Sequence, residues 1–159
     1  MSNEENTHGD SKATATCFCG AVQLSFPTEG PGFVNSFICH CKDCRKITAS
    51  FFSSIFTIAD THLTHVRGQA NLQTYSDPKA RTIASGHAMT NYFCATCGSL
   101  MYRVGAQFPG YSFLRLGTVD DYGKYEERLR PQREQFTKDR GDFLLPLEGL
   151  KQFEASMRL

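Results

Sequence analysis

Cysteine is where this sequence concentrates its chemistry. Seven cysteines occur in 159 residues, and each stands in a pair or a triplet: Cys17 and Cys19; Cys39, Cys41 and Cys44; Cys94 and Cys97. Inert thiols that merely pack as small hydrophobes would be scattered. A disulfide framework favours an even count and an export signal, and the polar opening MSNEENTHGDSKATAT has no apolar signal core. Thiols clustered at C-x-C and C-x-x-C spacing point instead to metal, with zinc as the first candidate.

Cys94-Ala95-Thr96-Cys97-Gly98 is the strongest local motif. A C-x-x-C turn lets two thiolates converge on one tetrahedral ion, and Gly98 supplies the permissive φ with which the chain leaves the turn. The same spacing occurs in redox pairs, but those follow a βαβ pattern that is not evident here. Cys17-Phe18-Cys19-Gly20 is the natural complement, because both thiols of an extended C-x-C segment fall on one face. Joined, the two pairs make a closed four-cysteine site that ties an early strand to the middle of the chain, a structural role.

Cys39-His40-Cys41-Lys42-Asp43-Cys44 offers three thiols in six residues and no fourth cysteine. Structural zinc is nearly always four-coordinate, whereas catalytic zinc keeps three protein ligands and an open position. Seven cysteines thus divide as four plus three by counting, and other pairings between the clusters stay open at this level. His40, His62, His65 and His87 are available to close the second site. His40 sits between two thiols and points away from them if the segment is extended.

The elements that must position these thiols read as short strands. Residues 21–26, 33–38, 51–58, 63–66, 71–75, 82–93, 100–104 and 112–117 are β-prone runs separated by Gly, Pro and polar breakers, which argues for a mainly β, antiparallel fold. Helix is scarce: one turn over 43–48, and an amphipathic helix over 148–157 that aligns Leu150, Phe153 and Met157. The charged, sign-balanced run 122–140 reads as a solvated loop. Residues 1–15 read as a disordered leader and 16–159 as a single domain with a charged C-terminal extension.

Composition excludes several classes. Seventeen Lys and Arg against sixteen Asp and Glu leave a formal charge of +1, so no overall basic field invites nucleic acid. No apolar run approaches the roughly 18 residues needed to span a bilayer. The expectation is a soluble protein of the cytoplasm, without membrane or nucleic-acid partner and of unspecified oligomeric state.

Cys-x-Cys-Gly-Ala-Val, CHCKDCRKITAS, FCATCGSLMYR and GTVDD together resemble the glutathione-dependent formaldehyde-activating enzyme family, also called the Gfa or centromere-protein-V-like family. The resemblance covers about residues 16–121 and places all seven cysteines on motif positions. It implies a β-tent-like antiparallel fold and two Zn²⁺ per chain. Cys17, Cys19, Cys94 and Cys97 would hold a structural ion, and Cys39, Cys41 and Cys44 a catalytic one. It also implies S-(hydroxymethyl)glutathione synthase activity, a carbon–sulfur lyase by its reverse direction, with glutathione or its aldehyde adduct as the small-molecule partner. Ala49 stands where a glycine is common in the family, and Val119 replaces a commoner leucine.

On this reading Arg45 and Lys46 would bind a substrate carboxylate. Asp120 and Asp121 could orient a ligand or simply end a strand, and Ser53 and Ser54 would alternate faces of one. Two other readings accompany it: a zinc enzyme on the same scaffold acting on another carbonyl or aromatic metabolite, and a non-catalytic zinc-stabilised interaction module.

Overall fold

The computed structural model describes residues 11–76 and 87–156. Alternation builds the first layer. β1 (Lys12–Thr16) buries Ala13 and Ala15, β2 (Gln23–Pro27) buries Leu24 and Phe26, and their other residues face outward. The two pair antiparallel, and β5 (Thr64–Arg67) completes a three-stranded sheet in the order β1-β2-β5.

The second sheet has eight strands. In spatial order they are β11 (Lys151–Gln152), β10 (Arg133–Gln135), β3 (Phe33–Cys39), β4 (Ser53–Ala59), β9 (Tyr111–Arg115), β8 (Leu100–Gly105), β7 (Met89–Cys94) and β6 (Leu72–Ser76). From β3 to β6 every pairing is antiparallel, while β10 joins β3 and β11 in parallel. The mainly β, antiparallel expectation is met, with a parallel edge added.

Side-chain alternation gives this sheet two distinct faces. Phe56, Ile58, Tyr102 and Leu114 lie on the face that packs against Ala15, Val22, Leu24 and Phe26 of the smaller sheet. The rings of Phe26 and Phe56 meet at 4.7 Å. Each fully buried side chain of this size contributes about 1.5–3 kcal/mol, so this is the main core. The opposite face carries Phe37, Cys39, Ile55 and Phe113, a smaller cluster that also includes Cys44.

Two α-helices and four short 3-10 turns complete the described residues; the helices are α1 (Lys42–Thr48), where the sequence predicts one turn over 43–48, and α2 (Tyr122–Leu129). Three expectations need correction. The leader was drawn to residue 15, but Lys12–Thr16 is a strand, because Ala13 and Ala15 are small enough to fill the space over the core. Residues 1–10 lie outside the described part.

The run 122–140 is not a solvated loop. Tyr125 and Leu129 of α2 sit in the main core, and Glu134 and Gln135 of β10 are buried. Balanced charge concealed an apolar stripe at i and i+4. Residues 148–156 form no helix. Gly149 takes a left-handed φ of 81°, and the following donors serve β10 instead: Lys151 N–H reaches Gln132 O at 3.3 Å and Phe153 N–H reaches Glu134 O at 2.9 Å. Met157, and residues 82–86 of an expected strand, lie outside the described residues.

Candidate metal centres

The first centre is assembled by two turns. After β1 the chain bends through Cys17-Phe18-Cys19-Gly20, with Gly20 N–H bonded to Cys17 O at 3.0 Å. At the end of β7, Gly98 N–H closes on Cys94 O at 2.8 Å, and Gly98 adopts a φ of 77°. That is the left-handed exit expected of this glycine. A register shift between Tyr92 and Phe93 bends β7 just before Cys94.

The sulfurs of Cys17, Cys19, Cys94 and Cys97 all lie within 4.8 Å of one another. Cys17 and Cys19 are 3.6 Å apart, and Cys19 and Cys94 are 3.7 Å apart. Four sulfurs at about 2.3 Å from a tetrahedral zinc would stand about 3.8 Å from each other, so the donor set fits the ion. All seven cysteines are free thiols. The outer partners also suit anionic sulfur: Val22 N–H points at the Cys17 sulfur at 3.2 Å, and the Asn71 amide at that of Cys94 at 3.4 Å.

The thiols differ in proton affinity. The Ser99 hydroxyl, the Ser99 N–H and the Cys19 N–H hold Cys97 down to about 5. At Cys19 the Ala21 N–H draws the other way, but desolvation and the neighbouring sulfurs of Cys17, Cys97 and Cys94 push it up to about 11. At neutral pH the metal-free cluster therefore mixes thiolate and thiol, and binding a cation would release the remaining protons.

The second centre lies at the end of β3. Cys39 is its last residue, Cys41 caps α1, and Cys44 occupies the first turn; their three sulfurs also lie within 4.8 Å of one another. The Cys41 sulfur accepts the Cys44 N–H at 3.3 Å, so one thiol of the triplet also serves as the helix cap. Ala49 ends α1 at a φ of 53°, a left-handed position that glycine would adopt with less strain. Proton sharing among the thiols drives Cys44 well below the ordinary thiol range, with Arg115 and Arg103 adding to the effect, and drives Cys39 up.

Those two arginines escaped the sequence reading. Register places Arg115 opposite Ile55, which pairs on its other side with Phe37, and Arg103 opposite Phe113. All belong to the face that carries Cys39 and Ser53. Both guanidinium groups are buried, Arg115 at 6% exposure and Arg103 at 8%. The available signal was a cation in a largely apolar strand, inside LMYRVG and at the end of YSFLR.

The histidines do not close the second site. His40 is buried and turns to Glu134, Nε2 to Oε1 at 2.7 Å. His65 bonds to the Tyr102 hydroxyl at 2.9 Å, and His62 to its neighbour Thr61. His87 stands outside both thiol groups. Glu134 is the hub of the region, because its other oxygen accepts Leu147 N–H at 2.8 Å and the Gln152 amide at 2.7 Å. Burial alone would raise its pKa, but these donors and His40 bring it below the ordinary carboxylate value. Glu134→Ala would strand His40 in the interior and release the C-terminal segment. A loss of about 3 kcal/mol in urea unfolding is expected, and a change under about 0.5 kcal/mol would rule the clamp out.

Arg45 and Lys46 line a shallow cleft of about 410 Å³ with Lys42, Ala49, Ser50 and Phe51. Helical spacing puts Lys42, Lys46 and Ala49 on the face of α1 away from Cys44, while Arg45 is four residues from Cys41 and lies nearer its side. Arg45 lies over the Phe51 ring at 4.8 Å. Asp120 accepts the hydroxyls of Thr14 at 2.7 Å and Thr16 at 2.5 Å, which makes it a tie between β1 and the loop after β9. Asp121 precedes α2 without a side-chain cap bond. Ser53 is buried and receives a hydrogen bond from Arg115, whereas Ser54 is half-buried.

Fold and thiol geometry together define a mainly β protein with two cysteine clusters able to hold metal ions. A profile of the glutathione-dependent formaldehyde-activating enzyme family matches residues 12–139, and the chain belongs to that family. Three chains of known structure match it significantly. One is a crystal structure of a Rhodobacter sphaeroides protein from a structural-genomics programme, 24% identical over 68% of this chain and 88% of that one, with a TM-score of 0.53. At that identity the likeness speaks for the fold alone. No curated protein matches the chain significantly. Among the described residues no helix is long and apolar enough to cross a membrane.

Proposed function

We propose that this chain is a zinc-dependent enzyme of thiol–aldehyde chemistry, a carbon–sulfur lyase type acting on the adduct of glutathione and formaldehyde. Cys17, Cys19, Cys94 and Cys97 would form a closed structural site. Cys39, Cys41 and Cys44 would form an open catalytic one. The carrying observation is the unequal grouping of sulfurs, four and three, in a chain that belongs to this family. Zinc bound by three thiolates and one exchangeable ligand would keep a substrate thiol deprotonated at neutral pH.

In the synthetic direction a sulfur–carbon bond forms, the carbonyl π pair moves to oxygen, and the thiol proton ends on that oxygen. Cleavage is the reverse, so no oxidant or reductant is needed. The protein's contribution is to hold thiol and aldehyde together. Arg45 and Lys46 are proposed as outer contacts for a substrate carboxylate, in the cleft beside α1. Free thiols fit a reducing compartment such as the cytoplasm, and the domain would run from Lys12 onward.

The test is exchange between formaldehyde, glutathione and S-(hydroxymethyl)glutathione followed by NMR, since the uncatalysed addition sets a measurable baseline. Exchange rising in proportion to protein is expected, with KM raised in R45A and K46A. Exchange equal to baseline at every protein concentration would remove the activity. One observation favours a larger carbonyl substrate on the same site: Phe37, Phe113, Phe108 and Phe136 share one apolar cluster with the three cysteines. A panel of aryl aldehydes in the same assay separates the two.

A further inference from the structure

The three-cysteine centre has a charge problem that its own sheet face answers. Three thiolates around a divalent ion leave one net negative charge, and an anionic fourth ligand would leave two. Burying such charge is costly unless positive groups stand close by. The sequence supplies two permanent cations at this place. Arg115 and Arg103 occupy neighbouring strands on the face that carries Cys39, and both are nearly excluded from solvent.

Their partners show what they are for. Arg115 donates to the Ser53 hydroxyl through Nη1, and its Nε has no hydrogen-bond partner among the described residues. Ser53 stands opposite Cys39 across β3 and β4, so the bond to its hydroxyl sets the Arg115 guanidinium at the end of the sheet where the triplet lies. Among the described residues no carboxylate forms an ion pair with Arg115. Arg103 donates through Nε to the side-chain Oδ1 of Asn91, a neutral acceptor, at 2.7 Å. Two buried guanidinium groups that repel each other are tolerated only where negative charge collects. With a divalent ion held by three thiolates, one guanidinium would offset the centre and the second would favour a further anion.

We propose that Arg115, with Arg103 beside it, is the fixed counter-charge of the three-cysteine centre and makes it select an anionic over a neutral fourth ligand. The inference rests on the proposed metal at Cys39, Cys41 and Cys44. It assigns Arg115 and Arg103 as positioning residues that act through charge, and it narrows the substrate class to ligands that present an anion at the centre.

The experiment uses the cobalt-substituted full chain, whose visible bands report the ligands of the ion. Thiocyanate and imidazole are titrated as anionic and neutral probes of similar size. In R115M, thiocyanate should bind about tenfold or more weakly while imidazole stays within about twofold of wild type. R115K, which keeps the charge, should recover most of the thiocyanate affinity. Equal weakening of both probes, or no change in thiocyanate binding, overturns the proposal. Where R115M fails to keep two cobalt ions, R103Q is read in the same way. A wild-type chain that takes cobalt only at Cys17, Cys19, Cys94 and Cys97 overturns the metal reading and this inference together. Two ions with unaltered probe selectivity in the variants overturns this inference alone.

Discussion

Cys94→Ser is expected to lower the melting temperature by about 20 °C or more, and a strong chelator should do the same to the wild-type chain. Cys94 is completely buried at the end of β7, and its sulfur stands 3.7 Å from that of Cys19, which follows β1. The two strands belong to different sheets. Metal held across them would link the sheets through residues more than seventy positions apart, so the metal-free unfolded chain would regain a large loop. Structural zinc in small domains binds with about 10 kcal/mol or more, and binding energy absent from the unfolded state is folding energy. In a chain of this length each kcal/mol moves the midpoint by about 2–4 °C. Calorimetry with and without chelator measures the effect. A shift under about 5 °C for both treatments would mean that this cluster does not hold the fold together.

Cys41→Ser should have the opposite profile: a nearly unchanged midpoint, one metal ion fewer, and activity lowered by at least about 100-fold. The position allows a clean separation, because the Cys41 sulfur caps α1 by accepting the Cys44 N–H. Serine is among the best residues for that task, so the helix keeps its cap while the centre loses a thiolate. Midpoint, metal content and exchange rate are measured on one preparation. Retained activity with the second ion gone would detach the chemistry from the triplet. A collapse of the midpoint would make the triplet a structural site like the first.

Much of this architecture was legible because thiol spacing and strand alternation are local properties. The C-x-x-C turn with its left-handed Gly98, the β2 alternation of Leu24 and Phe26, and the helical turn after the triplet all follow from neighbouring residues. The grouping of four and three needed only counting, although the pairing of Cys17 and Cys19 with Cys94 and Cys97 required the fold to bring them together.

What the sequence concealed depends on distant partners. Glu134 looks like one charge among many in 122–140, and only the approach of His40, Leu147 and Gln152 makes it a buried hub. The segment 148–156 carries a helical apolar pattern, yet β10 offers its backbone better partners and Gly149 interrupts the helix. Arg45 and Lys46 drew attention by adjacency to Cys44. Strand register also brings two cations onto the face of Cys39, Arg115 and Arg103, from more than fifty residues away. Sequence adjacency on a short helix puts neighbours on different faces, whereas strand register brings remote residues onto one.

The most direct measurement is an anomalous difference map at the zinc edge from crystals of the full chain. Two peaks per chain are expected, one enclosed by the sulfurs of Cys17, Cys19, Cys94 and Cys97 and one bounded by those of Cys39, Cys41 and Cys44. A single peak at the four-cysteine cluster, in crystals grown with added zinc, would contradict the account of a second, open centre.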